Sequence, residues 1–186
     1  KIEVNINDEL GEISVKNNGS TIPIEIHKEY NIYVPELIFG NLLTSGNYDQ
    51  TGKTVGGRNG LGAKVSNIYS SRFDIEICDP SRKKKYFQRF TNNMYDKEKP
   101  VITAVDKNSE SYTKITFVPD WKRFGLKNLT SDMSRLMKRR VYDTAGTTNE
   151  NVSVWLNGKH LDIKTFKDYI GMYYSEDAMP EMIYEE

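Results

Sequence analysis

Short runs in which apolar and polar residues alternate predict a sheet with largely antiparallel strands. Residues 2–6 and 12–16 alternate on either side of a polar turn, which is typical of a β-hairpin. Further strand-like runs follow at residues 72–78, 84–91, 111–119 and 152–156. After the last of them comes Asn157-Gly158, a dipeptide that favours a tight hairpin.

Apolar residues recur at helical spacing in two segments between these strands. Pro35 begins the first helix, predicted over residues 35–43, because proline suits the first turn of a helix. The second helix begins at Ala63, and its residues Val65, Ile68 and Tyr69 are spaced to fall on one face.

Two further helices are predicted in the C-terminal half of the chain. Thr130 gives an N-cap signal for an amphipathic helix that ends near Gly146, and a last helix covers residues 163–174. Together the elements predict an α+β fold, an α/β sandwich in which a mostly antiparallel sheet is covered on one face by helices.

The composition is that of a globular domain without a charge bias. The 186 residues are 37% hydrophobic and 28% charged, which is enough to bury a core. Lys+Arg and Asp+Glu both number 26, so net charge gives no support for direct nucleic-acid binding. No apolar run approaches a membrane span, and we expect no membrane partner.

Cysteine and histidine usage limits the chemistry. The single cysteine, Cys78, excludes an internal disulfide framework and falls in a strand-like run, which predicts a packed thiol rather than a nucleophile. His27 and His160 lie far apart without acidic or thiol neighbours at ligand spacing, so no metal site built from protein side chains is expected.

A glycine-rich stretch, residues 56–64, carries the strongest pattern for ligand binding. Four glycines in seven residues let backbone N–H groups approach a ligand, and a helix begins directly afterwards. Arg58 and Lys64 add positive charge at the two ends, so a polyphosphate suits the loop best. The spacing matches neither the P-loop, which needs lysine at position 63, nor the dinucleotide fingerprint, and it also fits a tight glycine turn.

Several stretches, in the order in which they occur, resemble the N-terminal ATPase domain of eukaryotic-type type IIA DNA topoisomerases. They are residues 17–23, 33–48, 56–64, 139–143 and 156–159. That domain belongs to the GHKL superfamily, shared by gyrase, histidine kinases, mismatch-repair proteins and the large heat-shock chaperone. The resemblance covers nearly the whole chain and implies the GHKL ATPase fold, with ATP and Mg²⁺ as ligands.

The resemblance also implies a role for each part of the site. Asn17 would read adenine, since a carboxamide oxygen can accept a hydrogen bond from the exocyclic amine, while an Asx-turn cap is the alternative for this side chain. The segment that meets the ribose and phosphates would be Ser45, Gly46 and Asn47. The phosphate loop would consist of Gly57, Arg58, Asn59, Gly60, Leu61, Gly62, Ala63 and Lys64.

Three positions depart from the family pattern. Gly46 stands where relatives commonly carry serine and Leu61 where they usually carry tyrosine, so both positions lack a hydroxyl. Thr21 replaces a glycine of the Gly-x-Gly-Ile-Pro pattern. If the backbone there needs a positive φ, a β-branched residue is strained by about 1–2 kcal/mol. We therefore expect a slightly reshaped or weakened adenine pocket.

The resemblance implies a longer parent protein. In the superfamily, the glutamate that activates water and the asparagine that holds Mg²⁺ lie on a helix before the first strand, and the lysine that reaches the γ-phosphate lies in the following transducer domain. Residues 1–186 are therefore expected to be a fragment of the ATPase domain that is catalytically silent alone.

The parent implied by the resemblance is a homodimer that uses ATP to pass one DNA duplex through a transient break in another. Closure of a lid, residues 45–55, would couple ATP binding to dimerisation. We expect the nucleus as its location, or a viral or cytoplasmic one for a viral parent. The alternatives are a non-catalytic protein-interaction module that keeps the fold, and another enzyme of the superfamily such as a kinase, against which residues 42–48 argue.

Overall fold

The computed structural model describes residues 1–42 and 60–175, and strands from these two ranges form one sheet. The strands are β1 Ile2–Asn7, β2 Glu12–Asn17, β3 Ser70–Asp79, β4 Lys84–Thr91, β5 Asp96–Lys97, β6 Val101–Ala104, β7 Tyr112–Pro119, β8 Val154–Leu156 and β9 Lys159–Leu161. Their order is β5-β4-β3-β7-β2-β1-β8-β9, with β6 also paired to β4. Within the described ranges, β1 and β8 are the one parallel pair, which agrees with the mostly antiparallel sheet predicted.

The helices follow the predictions closely, apart from their ends. They are α1 Val34–Gly40, α2 Gly62–Ile68, α3 Ser131–Thr147 and α4 Phe166–Gly171, with a 3₁₀ turn at Trp121–Phe124. α1 is shorter than predicted because Asn41 is extended and its Nδ2 donates to the carbonyl of Glu36 at 3.2 Å. α4 begins later than predicted because Thr165 and Asp168 form a capping box that sets its first turn.

The main core lies between α1 and the central strands. Cross-strand pairs of β3 and β4 place their apolar side chains on the same face, as in the pairing of Phe73 with Phe90. This cluster consists of Ile24, Phe39, Phe73, Ile75, Ile77, Tyr86 and Phe90. Through Phe39, this cluster anchors α1 on the sheet.

A buried polar network also fastens α1 to β4. Gln88 is 1% exposed, and its Nε2 donates to Glu36 of α1 at 3.2 Å. The Tyr86 hydroxyl donates to Gln88 Oε1 at 2.5 Å, and burial raises the pKa of Tyr86. Lys97 Nζ lies 2.7 Å from the second carboxylate oxygen of Glu36. The buried carboxylate thus has a charged partner, as a buried charge requires.

α3 covers the other half of the same sheet face, and α4 packs against α3. Val141 and Ala145 of α3 pack on Val154 and Leu161, and Phe117 of β7 contacts clusters under both α1 and α3. The one-face arrangement predicted from the sequence is therefore confirmed. On β3, Cys78 is buried and burial raises the pKa of its thiol, which agrees with a packed rather than reactive cysteine.

Candidate functional site

The first turn of α2 lies directly after the glycine-rich stretch. Gly60 has φ +60°, a left-handed conformation that suits glycine, and Leu61 occupies the N-cap position. The Leu61 carbonyl accepts from the Val65 N–H at 2.8 Å, which marks the start of the helix. A leucine side chain cannot cap a helix, so the exposed N–H groups of Gly62 and Ala63 are available to an anion.

Lys64 brings charge into this first turn. Its side chain is 2% exposed, and burial lowers the pKa of the amine. A buried ammonium is stabilised by a nearby negative charge. The six other residues expected to meet the ribose and phosphates lie outside the described ranges and stay predictions: Ser45, Gly46, Asn47, Gly57, Arg58 and Asn59.

α2 does not bury the face that its sequence pattern marks as apolar. Val65 and Tyr69 are 44% and 40% exposed, and both line an open apolar cavity of about 490 Å³ beside Trp121. The side chains that α2 buries are instead Lys64 and Asn67. The two buried polar side chains, together with the half-buried Ile68, therefore hold this helix against the rest of the domain.

A second group of polar side chains lies where β2 and β7 pair. Asn17 and Thr113 are cross-strand partners, and Thr113 also pairs with Ile77 of β3. Asn17 Oδ1 accepts a hydrogen bond from the Gly19 N–H at 3.3 Å, so the Asx-turn alternative is present in the structure. A carboxamide oxygen has a second lone pair and its amide has two donors, so this turn leaves Asn17 able to bind a ligand.

Thr113 was not among the predicted site residues. It is 8% exposed, and its Oγ1 is buried without a hydrogen-bond partner. Buried hydroxyl groups normally have a hydrogen-bond partner. The unpaired Thr113 hydroxyl beside Asn17 is therefore compatible with a polar ligand that supplies the missing partner. The sequence does contain a signal, since the alternation of residues 112–117 puts this threonine on the same face as Ile115 and Phe117.

The strain expected at Thr21 is not present. Thr21 is not one of the described residues with positive φ, so a β-branched side chain fits this backbone without a left-handed conformation. Its hydroxyl contacts the hydroxyl of Ser111, the residue before β7. The expected reshaping or weakening of the adenine pocket stays a prediction, without strain at Thr21 as its cause.

Within residues 1–42 and 60–175, no group of three or more His, Cys, Asp or Glu side chains could hold a metal ion. In the same ranges, no helix is both long and apolar enough to cross a membrane.

The chain is similar in sequence to proteins named DNA topoisomerase 2. It is 53% identical over 186 residues to the one from Acanthamoeba polyphaga mimivirus and 50% identical over 189 residues to the one from Arabidopsis thaliana. These matches cover 100% and 97% of this chain but 14% and 13% of the relatives, so the chain spans about a seventh of their length. No protein-family model matches the chain.

The chain is also similar to solved structures of ATPase regions. The ATPase region of Saccharomyces cerevisiae topoisomerase II is 51% identical, with a TM-score of 0.88 over 92% of this chain and 45% of that one. The 43K ATPase domain of Thermus thermophilus gyrase B is 19% identical, with a TM-score of 0.66 over 91% of this chain and 43% of that one. The second likeness shows a shared fold alone.

Proposed function

Because the chain belongs to the type II DNA topoisomerase family, with the GHKL ATPase fold, we propose that it binds ATP between Asn17 and the first turn of α2. The observation that carries the proposal is the buried, unpartnered hydroxyl of Thr113 in cross-strand register with Asn17. A carboxamide and a hydroxyl side by side can accept from the exocyclic amine of adenine and pair with a ring nitrogen.

The triphosphate would lie at the glycine-rich loop. The N–H groups of Gly62 and Ala63 supply donors, and the buried Lys64 amine supplies a positive charge in the same turn. Residues 57–61 would complete the loop, and residues 45–47 would meet the ribose and phosphates. Mg²⁺ would accompany the nucleotide and neutralise part of its charge.

We expect a polypeptide of residues 1–186 to bind ATP without sustained hydrolysis. None of the residues proposed for the site is a carboxylate that could orient and activate an attacking water. The whole protein is proposed to be a homodimer that hydrolyses ATP to pass one DNA duplex through a transient break in another. A nuclear location, or a viral or cytoplasmic one for a viral parent, goes with that proposal.

Titration of the polypeptide with a fluorescent ATP analogue in the presence of Mg²⁺ tests the proposal. Saturable binding that unlabelled ATP reverses is expected, with no release of phosphate. A protein-interaction module that has kept only the fold would give no saturable signal, and sustained phosphate release would contradict the expectation of a silent polypeptide.

The neighbouring asparagines provide a matched pair of variants. Asn17→Ala removes the group proposed to read the base and should weaken binding about tenfold, as expected for one or two ligand hydrogen bonds. Asn18→Ala removes an exposed side chain whose Oδ1 accepts from the N-terminal ammonium group, and it should leave affinity unchanged. Equal affinities for the two variants would remove Asn17 from the site.

A further inference from the structure

Apolar packing holds α2 only in part, because Ile68 is half-buried while Val65 is exposed. It has seven residues, a length too short for a helix to be stable alone, and Val65 on its apolar face is largely exposed. Its direction nevertheless decides where the N–H groups of Gly62 and Ala63 point. Two hydrogen bonds from polar side chains add to the Tyr69–Phe124 ring contact in orienting α2.

The first such contact joins α2 to α1. Asn67 is 0% exposed, and its Nδ2 donates to the carbonyl of Phe39 at 3.1 Å, close to the end of α1. Phe39 itself is anchored in the main core. Asn67 Oδ1 is buried without a partner, an arrangement that costs stability.

The second contact comes from a turn with unusual geometry. Asn92, Asn93 and Met94 follow one another with φ of +52°, +57° and +70°, a conformation that L-residues seldom adopt in succession. Asn93 Nδ2 donates to the carbonyl of Ile68, the last residue of α2, at 3.0 Å, and its N–H donates to Ser70 at 3.0 Å. Met94 packs against the main core. The strained turn thus connects the end of α2 to the sheet.

We propose that Asn67 and Asn93 are positioning residues, which orient α2 so that its first turn faces the phosphates of the bound nucleotide. This inference rests on the proposed function, because it assigns these side chains a role in the same site. Neither residue contacts the nucleotide; each acts through the main chain of α2. Both hydrogen bonds lie in the last turn of α2, at Asn67 and Ile68, away from the first turn proposed to face the ligand.

The turn supplies a matched pair of variants that separates positioning from stability. Asn93→Gly and Asn92→Gly both replace a left-handed asparagine by the residue that best tolerates this conformation. Asn93→Gly also removes the hydrogen bond to α2, whereas Asn92→Gly removes a bond to Asp96 on the exposed side of the turn. The two differ mainly in their link to α2.

Two measurements decide the outcome at a temperature where both variants are folded. The dissociation constant of the fluorescent ATP analogue with Mg²⁺ should rise about three- to tenfold in Asn93→Gly and stay unchanged in Asn92→Gly, as expected for one lost hydrogen bond. Amide hydrogen exchange of residues 62–68 should accelerate about tenfold in Asn93→Gly alone. Equal affinity and equal exchange in the two variants would overturn the inference.

A second variant keeps the test decisive if Asn93→Gly does not fold. Asn67→Leu keeps the branched shape of the side chain and relieves the unpaired Oδ1, but it leaves the Phe39 carbonyl without this donor. These two effects on stability oppose each other, so affinity, measured where the variant is folded, is the deciding quantity and should fall. Unchanged affinity would overturn a positioning role for Asn67. If the wild type itself shows no saturable binding, the proposed function fails, and the assignment of Asn67 and Asn93 to phosphate positioning fails with it. Hydrogen exchange then shows separately whether Asn93 holds α2.

Discussion

Replacing Thr113 by valine is expected to stabilise the chain and to weaken nucleotide binding at the same time. The Thr113 hydroxyl is buried without a partner. In measured protein variants, an unpaired buried hydroxyl costs about 1–3 kcal/mol. Valine places a methyl group in the same space, so the free energy of unfolding should rise by about that amount. For a domain of this size, the melting temperature should rise by about 2–12 °C.

The same change should reduce affinity for ATP. If the hydroxyl pairs with the base, valine removes one hydrogen bond worth about 0.5–1.5 kcal/mol, which weakens binding about two- to thirteenfold. Thermal unfolding followed by circular dichroism measures the first effect, and titration with the fluorescent ATP analogue measures the second.

Thr116→Val is the matched control, because Thr116 lies on the same strand with its side chain on the opposite face of the sheet. Its stability should change by no more than about 0.5 kcal/mol and its affinity should not change. If Thr113→Val melts below the wild type, the hydroxyl is satisfied in the free protein and the reasoning from its orphan state is wrong. If its affinity equals that of the wild type, Thr113 does not belong to the site.

Three further predictions concern a helix contact, a buried carboxylate and the accessibility of Cys78. Gly146→Ala should lower stability by up to about 2 kcal/mol in a thermal melt, although alanine favours helices, because the added Cβ would lie 2.6 Å from Cβ and Cγ of Tyr169. Asp79→Asn should cost about 1.5–3 kcal/mol at pH 7: burial tends to raise the pKa of Asp79, but hydrogen bonds from Ser81 and Arg82 lower it overall. This stabilisation is complete above the ordinary pKa of 3.8 and is lost as pH falls through the lower folded value, so urea melts of variant and wild type should converge in acid. A thiol reagent should modify Cys78 only after denaturant is added, since the thiol is 3% exposed.

The strands and the fold class follow from local patterns because each half-buried strand carries its own period of two. Phe73, Ile75 and Ile77 mark one face of β3 without any knowledge of their partners. The N-cap of α3 is similarly local, and the predicted Thr130 accepts from the Met133 N–H at 3.3 Å.

What the sequence could not reveal depends on contacts between distant residues. The hydrogen bond of Asn67 depends on Phe39, which is 28 residues away and lies near the end of a different helix. The role of Asn93 depends on three successive left-handed residues that no simple turn signal predicts. Thr113 looked like an ordinary strand residue until its pairing with Asn17 was known. The parts of the candidate site that form a continuous motif, such as residues 56–64, were therefore predictable from the sequence. The parts that the fold brings together from distant residues were missed.

The parallel pairing of β1 with β8 has a consequence for synthesis of the protein. The β1–β2 hairpin can form early, but its two neighbours are made much later. β7, which pairs with β2, is made about a hundred residues after it. Asn157, whose Oδ1 accepts from the Ile6 N–H, lies 151 residues after Ile6. Until β7 is made, both sides of the hairpin expose unpaired main-chain groups, and the β1 side stays exposed until β8 is made. A nascent chain that stalls before residue 154 should therefore be a preferred client of chaperones and should aggregate when released.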